Sequence, residues 1–227
     1  MFSITVIHPS RNRPQQAEAT IKKWLGSASN RSQIEYILSV DKSDKDLQLY
    51  RAIGKRNGTY VLTSKNKSAI EAINNAAKVS TGNLIVVVSD DFSCELGWDE
   101  KLLKEVEGRE DFYLKTKDGI QDFIITLPIL DRKCYERFGY VYSNHGYKHL
   151  WVDTEMAAVA HMTGRTIYSD LFFEHCHYSV NKSKKDSINI KNDKTWDQGK
   201  RLFQKRKSIN FGLKPEEIVN PFPKQLE

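Results

Sequence analysis

Residues 84–98 read LIVVVSDDFSCELGW. Five aliphatic side chains in succession describe a strand buried on both faces, and this strand runs directly into two adjacent carboxylates, Asp90 and Asp91. Acid at the carboxyl end of a buried strand lies where open α/β sheets bind ligands, and carboxylate oxygens suit a hard divalent cation that also grips phosphate. The same two residues would serve equally well as caps for a helix starting near Leu96, so the rest of the chain has to decide between the two readings.

Upstream, the pattern alternates. Residues 3–7 form a short β-branched strand that stops at His8-Pro9-Ser10-Arg11-Asn12-Arg13-Pro14, because proline bars the ladder from continuing. Over residues 15–25, Ala17, Ile21, Trp24 and Leu25 fall at helical spacing ahead of Gly26. A second strand, 34–40, ends on Asp41-Lys42-Ser43-Asp44, and Leu47, Tyr50 and Ile53 follow at helical spacing with Gly54 and Gly58 as breakers. Residues 60–62 make a third, short strand; beyond Asn66, a helix over 69–79 gathers Ile70, Ile73, Ala76 and Ala77 on one face. This rhythm predicts an α/β fold with a mostly parallel sheet and helices on both faces. The loops at the carboxyl ends of its strands, 8–13, 41–44 and 89–93, then line one crevice.

Downstream of Trp98 the rhythm changes. A helix over 99–106 precedes strands at 112–115 and 123–130, which flank the turn Lys117-Asp118-Gly119 and join the sheet in an antiparallel or mixed manner, with Pro128 limiting how central the second can be. A helix at 132–138 leads into an aromatic loop, 140–151, and then an alanine-rich helix, 153–162. A strand at 166–173 runs into Glu174-His175-Cys176-His177. On a continuing strand His175 and His177 point to opposite faces, so only one of them is expected to reach a metal directly. One further amphipathic helix, about 194–207, carries Trp196, Leu202 and Phe203.

With 227 residues, 39% of them hydrophobic, the chain can bury a substantial single core. Its charge is uneven: residues 1–177 balance 23 basic against 23 acidic side chains, whereas residues 178–227 hold 12 against 6. The three cysteines, Cys94, Cys134 and Cys176, lack CxxC spacing and form an odd set, which argues against a disulfide framework and against a cysteine-ligated zinc. No signal peptide and no apolar run approaching ~18 residues is present, so the expectation is a cytoplasmic protein with at most peripheral membrane contact. GxGxxG after a strand, GxxxxGK[ST] and GxSxG are all missing, which removes the usual dinucleotide fold, the P-loop and the nucleophile elbow.

The ordered set TVIHPSRNRP, IEYILSVDKSD, Asn66 with the helix carrying Asn74, LIVVVSDDF followed by GWDEKL, DRKCYERFG, WVDTEMAAVAHMTG and the His-Cys-His segment resembles the family 2 glycosyltransferases of the GT-A fold, bacterial or phage type, over roughly residues 3–178. The resemblance implies a GT-A-like, Rossmann-type sandwich over residues 1–178, with a nucleotide-binding half to about residue 98, an acceptor-binding half over 99–178 and a small antiparallel addition to the sheet. Residues 179–227 form a basic extension with one helix packing on the domain. It also implies an inverting transferase that moves a sugar from a nucleotide-sugar donor, UDP-linked by preference, to a hydroxyl on a glycan or other acceptor.

Roles follow from the matched motifs. The DxD motif reads Ser89-Asp90-Asp91, so its first carboxylate is missing; Asp91 takes the metal position and Asp90 lies nearer the ribose. Mg²⁺ or Mn²⁺ is the implied cofactor, with His177, and after it His175, as the histidine ligand that would favour Mn²⁺. Pro9 and Arg11 would cup the base together with Asn66, and Asp41 would contact the uracil or ribose, although the same aspartate could simply form the turn at 41–44. Asp153 is the implied general base, with Val152 where the family has Glu; an N-cap role for the helix at 153–162 competes with that assignment. The segment Asn181-Lys182-Ser183-Lys184-Lys185 would either fold over the diphosphate, with its lysines pairing to phosphate, or form a plain solvated loop.

Two other functions fit the same chain. A nucleotidyltransferase would also join an α/β sheet to carboxylate-bound metal, but the 8–14 loop has no glycine. A catalytically silent module could use the basic tail to hold an anionic polymer or nucleic acid, although nucleic acid is not the expected partner.

Overall fold

Each central strand alternates buried side chains between two helical layers. On one face Ile4 and Val6, Tyr36, Leu38 and Val40, and Leu84 and Val86 share a core with Trp24 and Tyr50; on the other Ile7, Ile37, Ile85 and Val87 pack with Ile73, Ala77 and Met156. Two-faced burial of this kind requires helices on both sides of the sheet. A computed structural model of the chain describes residues 3–182 and 185–226. Ser183 and Lys184, in the segment read as a diphosphate cover or a solvated loop, lie outside the described residues.

The chain forms β1 (Ile4–Ser10), α1 (Pro14–Gly26), β2 (Ile34–Asp41), α2 (Leu47–Asn57), β3 (Tyr60–Ser64), α3 (Ala69–Val79), β4 (Leu84–Val87), β5 (Phe92–Ser93) and α4 (Trp98–Glu105). It continues with β6 (Tyr113–Lys117), β7 (Ile129–Asp131), α5 (Arg132–Phe138), α6 (Val152–Met162), β8 (Thr166–Phe172), β9 (Glu174–His175), α7 (Ser187–Asp193) and α8 (Trp196–Lys207). The seven-stranded sheet has the order β3-β2-β1-β4-β7-β6-β8, and β5 with β9 makes a separate two-stranded ribbon. β1 to β4 are parallel; β7 runs antiparallel to both β4 and β6, and β6 pairs parallel with β8. The carboxyl ends of β1, β2, β4, β6 and β8 therefore share one rim. The fold is the expected α/β sandwich: a mostly parallel sheet, helices on both faces and a small antiparallel addition.

Several boundaries differ from expectation. β1 continues through Pro9 to Ser10, pairing with β2 as far as Ser10↔Val40. Ile7 accepts from Val88 on the β4 side, so the missing N–H of Pro9 faces the side where β4 has already ended and costs no ladder bond. α2 runs through Gly54, where a Cβ would sit 2.2 Å from Val61 Cγ2; this glycine permits close packing of helix on β3, and the break comes at Gly58 in the left-handed region. The strand expected over 123–130 shrinks to β7, because the Asp118 carboxylate accepts from the N–H groups of Ile120 and Gln121 and from the Thr126 hydroxyl, curling the chain instead of extending it. In the tail, α7 was not expected. α8 buries Phe203 and Arg206 against α6. Among the described residues no helix is long and apolar enough to cross a membrane.

Candidate active site

The capping explanations for the acids fail on geometry. α4 is N-capped by Gly97 in the left-handed region, so neither Asp90 nor Asp91 caps it. α6 begins at Val152 with Trp151, at φ 77°, as its N-cap, so Asp153 lies inside the first turn and is no cap either.

Asp90 and Asp91 leave β4 in opposite senses. Asp90 turns back toward β1, where His8 Nε2 lies 2.9 Å from Oδ1, Ser10 Oγ donates at 3.2 Å to Oδ2, and Arg13 Nη1 approaches within 3.8 Å. His8 is fully buried, with Nδ1 2.8 Å from the Tyr36 hydroxyl; donation from Tyr36 to Nδ1 leaves Nε2–H to serve Asp90. The guanidinium of Arg13 also binds Asp186, at 2.6 and 2.7 Å, and so ties the crevice to α7.

Asp91 instead meets the histidine segment. β5 and β9 pair Phe92 with His175, whose rings stack with centroids 4.3 Å apart, and Cys176 N–H donates to the Asp91 carbonyl at 2.8 Å. His175 Nε2 then lies 3.5 Å from Asp91 Oδ2. The strand ends at His175, and His177 turns as the cap of a short 3-10 turn, so the alternation expected to separate the two rings does not apply. Ligand atoms of Asp91, His175 and His177 all lie within 4.8 Å of one another. Burial opposes ionisation of Asp91, but hydrogen bonds from His175 and Ser89 and the charges of both histidines outweigh it and hold the carboxyl at about 2. Burial, then His175, pushes His177 below its ordinary value, which favours the neutral form that can ligate. Ser179 N–H donates to His177 Nδ1 at 3.2 Å, leaving Nε2 unclaimed, and His175 Nδ1 is buried without a partner among the described residues. One carboxylate with two imidazoles fits Mn²⁺ better than Mg²⁺, which prefers oxygen alone.

Asp153 stands in the first turn of α6, near enough to His175 to feel its charge. The residue is half-buried, and burial raises its pKa; hydrogen bonds from Thr154, whose N–H donates at 2.8 Å, and the charge of His175 offset only part of that rise. Asp41 and Asn66 meet at the ends of β2 and β3: Asn66 N–H and Ser43 N–H donate to Asp41 at 2.8 and 2.7 Å. Burial disfavours the charged carboxylate, but these bonds and the charge of Arg11 prevail and lower its pKa. Asp41 thus builds the turn at 41–44 and anchors Asn66 beside it. Asn66 is 9% exposed and its Nδ2 has no hydrogen-bond partner among the described residues. Arg11 is exposed on the loop, and Pro9, half-buried, belongs to β1.

Sequence reasoning missed His8, Ser10, Arg13 and His149. Burial pushes the His149 pKa down, and its ring is near enough to Asp91, Arg13 and His177 to feel their charges. The signal for His8 is a histidine adjoining a β-branched strand, which the structure buries within β1.

The sequence model of the family described as glycosyl transferase family 2 matches residues 5–182. No curated protein matches the chain. Among solved structures, a mannosyltransferase, PcManGT, from Pyrobaculum calidifontis, crystallised with GDP-Man and Mn²⁺, superposes with a TM-score of 0.63 at 14% identity over 76% of this chain and 56% of its own. Residues 1–349 of S. aureus TarS, with UDP-GlcNAc, give 0.64 at 14% identity over 82% of this chain and 60% of that one. Glucosyl-3-phosphoglycerate synthase from Mycobacterium tuberculosis, with Mn²⁺, UDP and glucosyl-3-phosphoglycerate, gives 0.61 at 13% identity over 94% and 81%. The chain thus spans little more than half the length of the first two. These likenesses establish a shared fold, and the family match over most of the sequence establishes membership: the chain belongs to glycosyl transferase family 2.

Proposed function

We propose that the protein is an inverting, metal-assisted glycosyltransferase that uses a nucleotide-sugar donor, UDP-linked by preference, and a hydroxyl acceptor. The observation that carries this reading is the convergence of Asp91, His175 and His177 at the rim where the strands of the sheet end, with Asp153 near enough to His175 to feel its charge. Arg11, Pro9 and the Asp41–Asn66 pair would hold the base, the unpaired Asn66 amide supplying a donor for a uracil carbonyl. Asp90, fixed by His8 and Ser10, would accept from the ribose. Asp153 would take the proton of the acceptor hydroxyl as its oxygen bonds to the anomeric carbon and the bond from that carbon to the diphosphate breaks; the raised pKa makes it a better base than an ordinary aspartate. A divalent ion, Mn²⁺ by donor set, held by Asp91, His175 and His177 would supply Lewis-acid neutralisation of the departing diphosphate.

The division of the chain into a transferase domain, 1–178, and an extension, 179–227, belongs to the same proposal and is supported by a family match that ends at residue 182. So does a cytoplasmic location with at most peripheral membrane contact, for which the free cysteines, Cys94 and Cys134 buried among them, are the support. Thermal melting with UDP, GDP, CMP and dTDP, each with Mn²⁺ and with EDTA, tests the reading. UDP with Mn²⁺ is expected to raise the melting temperature, by about 2.7 kcal/mol of stability at a hundredfold excess over its dissociation constant, and Asp91→Ala to abolish the effect. No metal-dependent shift with any nucleotide would sink it.

A further inference from the structure

A second cavity, of about 590 Å³, opens at the ends of β6 and β8. We propose that it binds neutral saccharide units of the acceptor through Tyr168 and Phe172, so that the acceptor is a glycan of more than one unit. The role as acceptor subsite rests on the transferase reading above; the ligand class rests on the cavity.

β8 is the outermost strand of the sheet, and Tyr168, Asp170 and Phe172 share its exposed face while Ile167 and Leu171 pack inward on the core. Tyr168 is 55% exposed and Phe172 40%. The register shift sets Tyr168 opposite Lys115 and Phe172 opposite Lys117, so both rings stand over one cavity, whose volume of about 590 Å³ is larger than a single sugar ring fills. The cavity lies on the rim of the active site: Phe173 N–H donates to the Lys117 carbonyl and His175 N–H to that of Asp118, so its wall continues directly into the strand that carries the cluster histidine. A glycan whose terminal hydroxyl reaches Asp153 can extend over this wall.

The lining selects a neutral ligand. Lys115 is buried, and its ammonium donates to the carbonyls of Thr116 and Gln121 at 2.7 and 2.6 Å; Lys117 is paired with Asp170 at 2.7 Å. Lys115 is thereby committed, and the charge of Lys117 is balanced by Asp170 in an exposed pair. Four carboxylates, Glu105, Asp118, Asp122 and Asp170, line the cavity against these two lysines, which repels phosphate and anionic polymers. Aromatic faces with a few fixed polar groups suit the apolar face of a sugar and its hydroxyls. Pairing of β8 with a second copy is disfavoured by the exposed Asp170 in mid-strand and by the register shift between Lys115 and Lys117.

The test measures binding of the full chain to immobilised glucan, mannan, galactan and N-acetylglucosamine oligomers and to the matching monosaccharides, with dextran sulfate as the anionic probe. At least one oligomer is expected to bind, its monosaccharide distinctly more weakly, and Tyr168→Ala or Phe172→Ala to weaken the oligomer about tenfold while leaving the UDP-Mn²⁺ melting shift intact. Retention of dextran sulfate alone, binding of no oligomer, or binding indifferent to both substitutions overturns the proposal. So does a dimer on gel filtration that Tyr168→Ala dissolves, which would assign the face to self-association. If oligomers bind through these rings but UDP and Mn²⁺ never shift the melting temperature, the transferase reading fails and the cavity keeps its ligand without its role as an acceptor subsite. The reverse result fails the cavity alone.

Discussion

Asp153 shows how one residue can be costly to the fold and useful to the chemistry. Burial raises its pKa, so the native state binds its proton more tightly than the unfolded chain does. The sign follows from linkage: below the unfolded value of about 3.9 both states are protonated and nothing is lost, whereas the penalty grows as pH rises toward the native pKa and stays constant above it. Asp153→Asn keeps an oxygen for the Thr154 N–H and is expected to raise the melting temperature at neutral pH, with the gain vanishing below pH of about 4. The same variant should lose roughly a hundred- to ten-thousandfold in turnover, and the acidic limb of the wild-type rate profile should lie above the ordinary aspartate range. Full turnover in Asp153→Asn, measured by nucleoside diphosphate release, would remove the residue from the reaction.

At the scale of elements, α6 and α8 are locked by a buried ion pair. Arg206 Nε donates to both Glu155 oxygens at 2.7 and 2.8 Å, its Nη2 donates to the Phe211 carbonyl at 2.6 Å, and the Tyr147 hydroxyl donates to Glu155 at 2.7 Å. Glu155 lies two residues from Asp153, and Tyr147 sits in the 140–151 loop, so the pair fixes helix, loop and tail together. Replacing Arg206 alone by Met leaves a buried carboxylate without its cation and should cost about 3–5 kcal/mol in urea unfolding; adding Glu155→Gln should recover much of that loss. Additive losses in the double variant would show that the two side chains do not act as a unit. The loop is held from the other side by Asn74, whose Oδ1 accepts from Val141 and Tyr142 N–H and whose Nδ2 donates to the Tyr142 carbonyl at 2.8 Å.

At the scale of the whole molecule, the tail completes a core. Phe203 and Phe211 are buried with Met156 and Val152 in the layer that also holds α3, so α8 closes one face of the sandwich. Burial of the two rings contributes roughly 1.5–3 kcal/mol each, and the Glu155 partner lost with Arg206 costs about 3–5 more. Their sum is comparable to the whole stability of a domain, about 5–15 kcal/mol. Truncation before Trp196 is therefore expected to abolish the cooperative urea transition followed by far-UV circular dichroism, and a truncated chain that still unfolds cooperatively would contradict this account. Arg206, one of the twelve basic residues of the tail, is thereby part of that core.

The α/β architecture was legible because two-faced burial leaves continuous aliphatic runs such as 84–88 and because Ala17, Ile21 and Trp24, or Ile70, Ile73 and Ala77, repeat at the period of a helix. The acids at strand ends were legible for the same reason, since parallel strands of a sheet must deliver their carboxyl ends to one rim. By itself the sequence determined the layers and the delivery of the carboxyl ends of β2 and β4, with Asp41 and Asp91 at or just beyond them, to one rim. Only the tertiary structure decided which side chains meet. Whether His175 and His177 share a ligand cluster depended on where β9 stops, whether Asp153 caps a helix depended on the backbone at Trp151, and the partners of Asp90, His8 and Ser10, lie about eighty residues away in the chain. Local periodicity carries no information about contacts at that separation, because they are set by strand order and register, which the fold selects by burying all its faces at once.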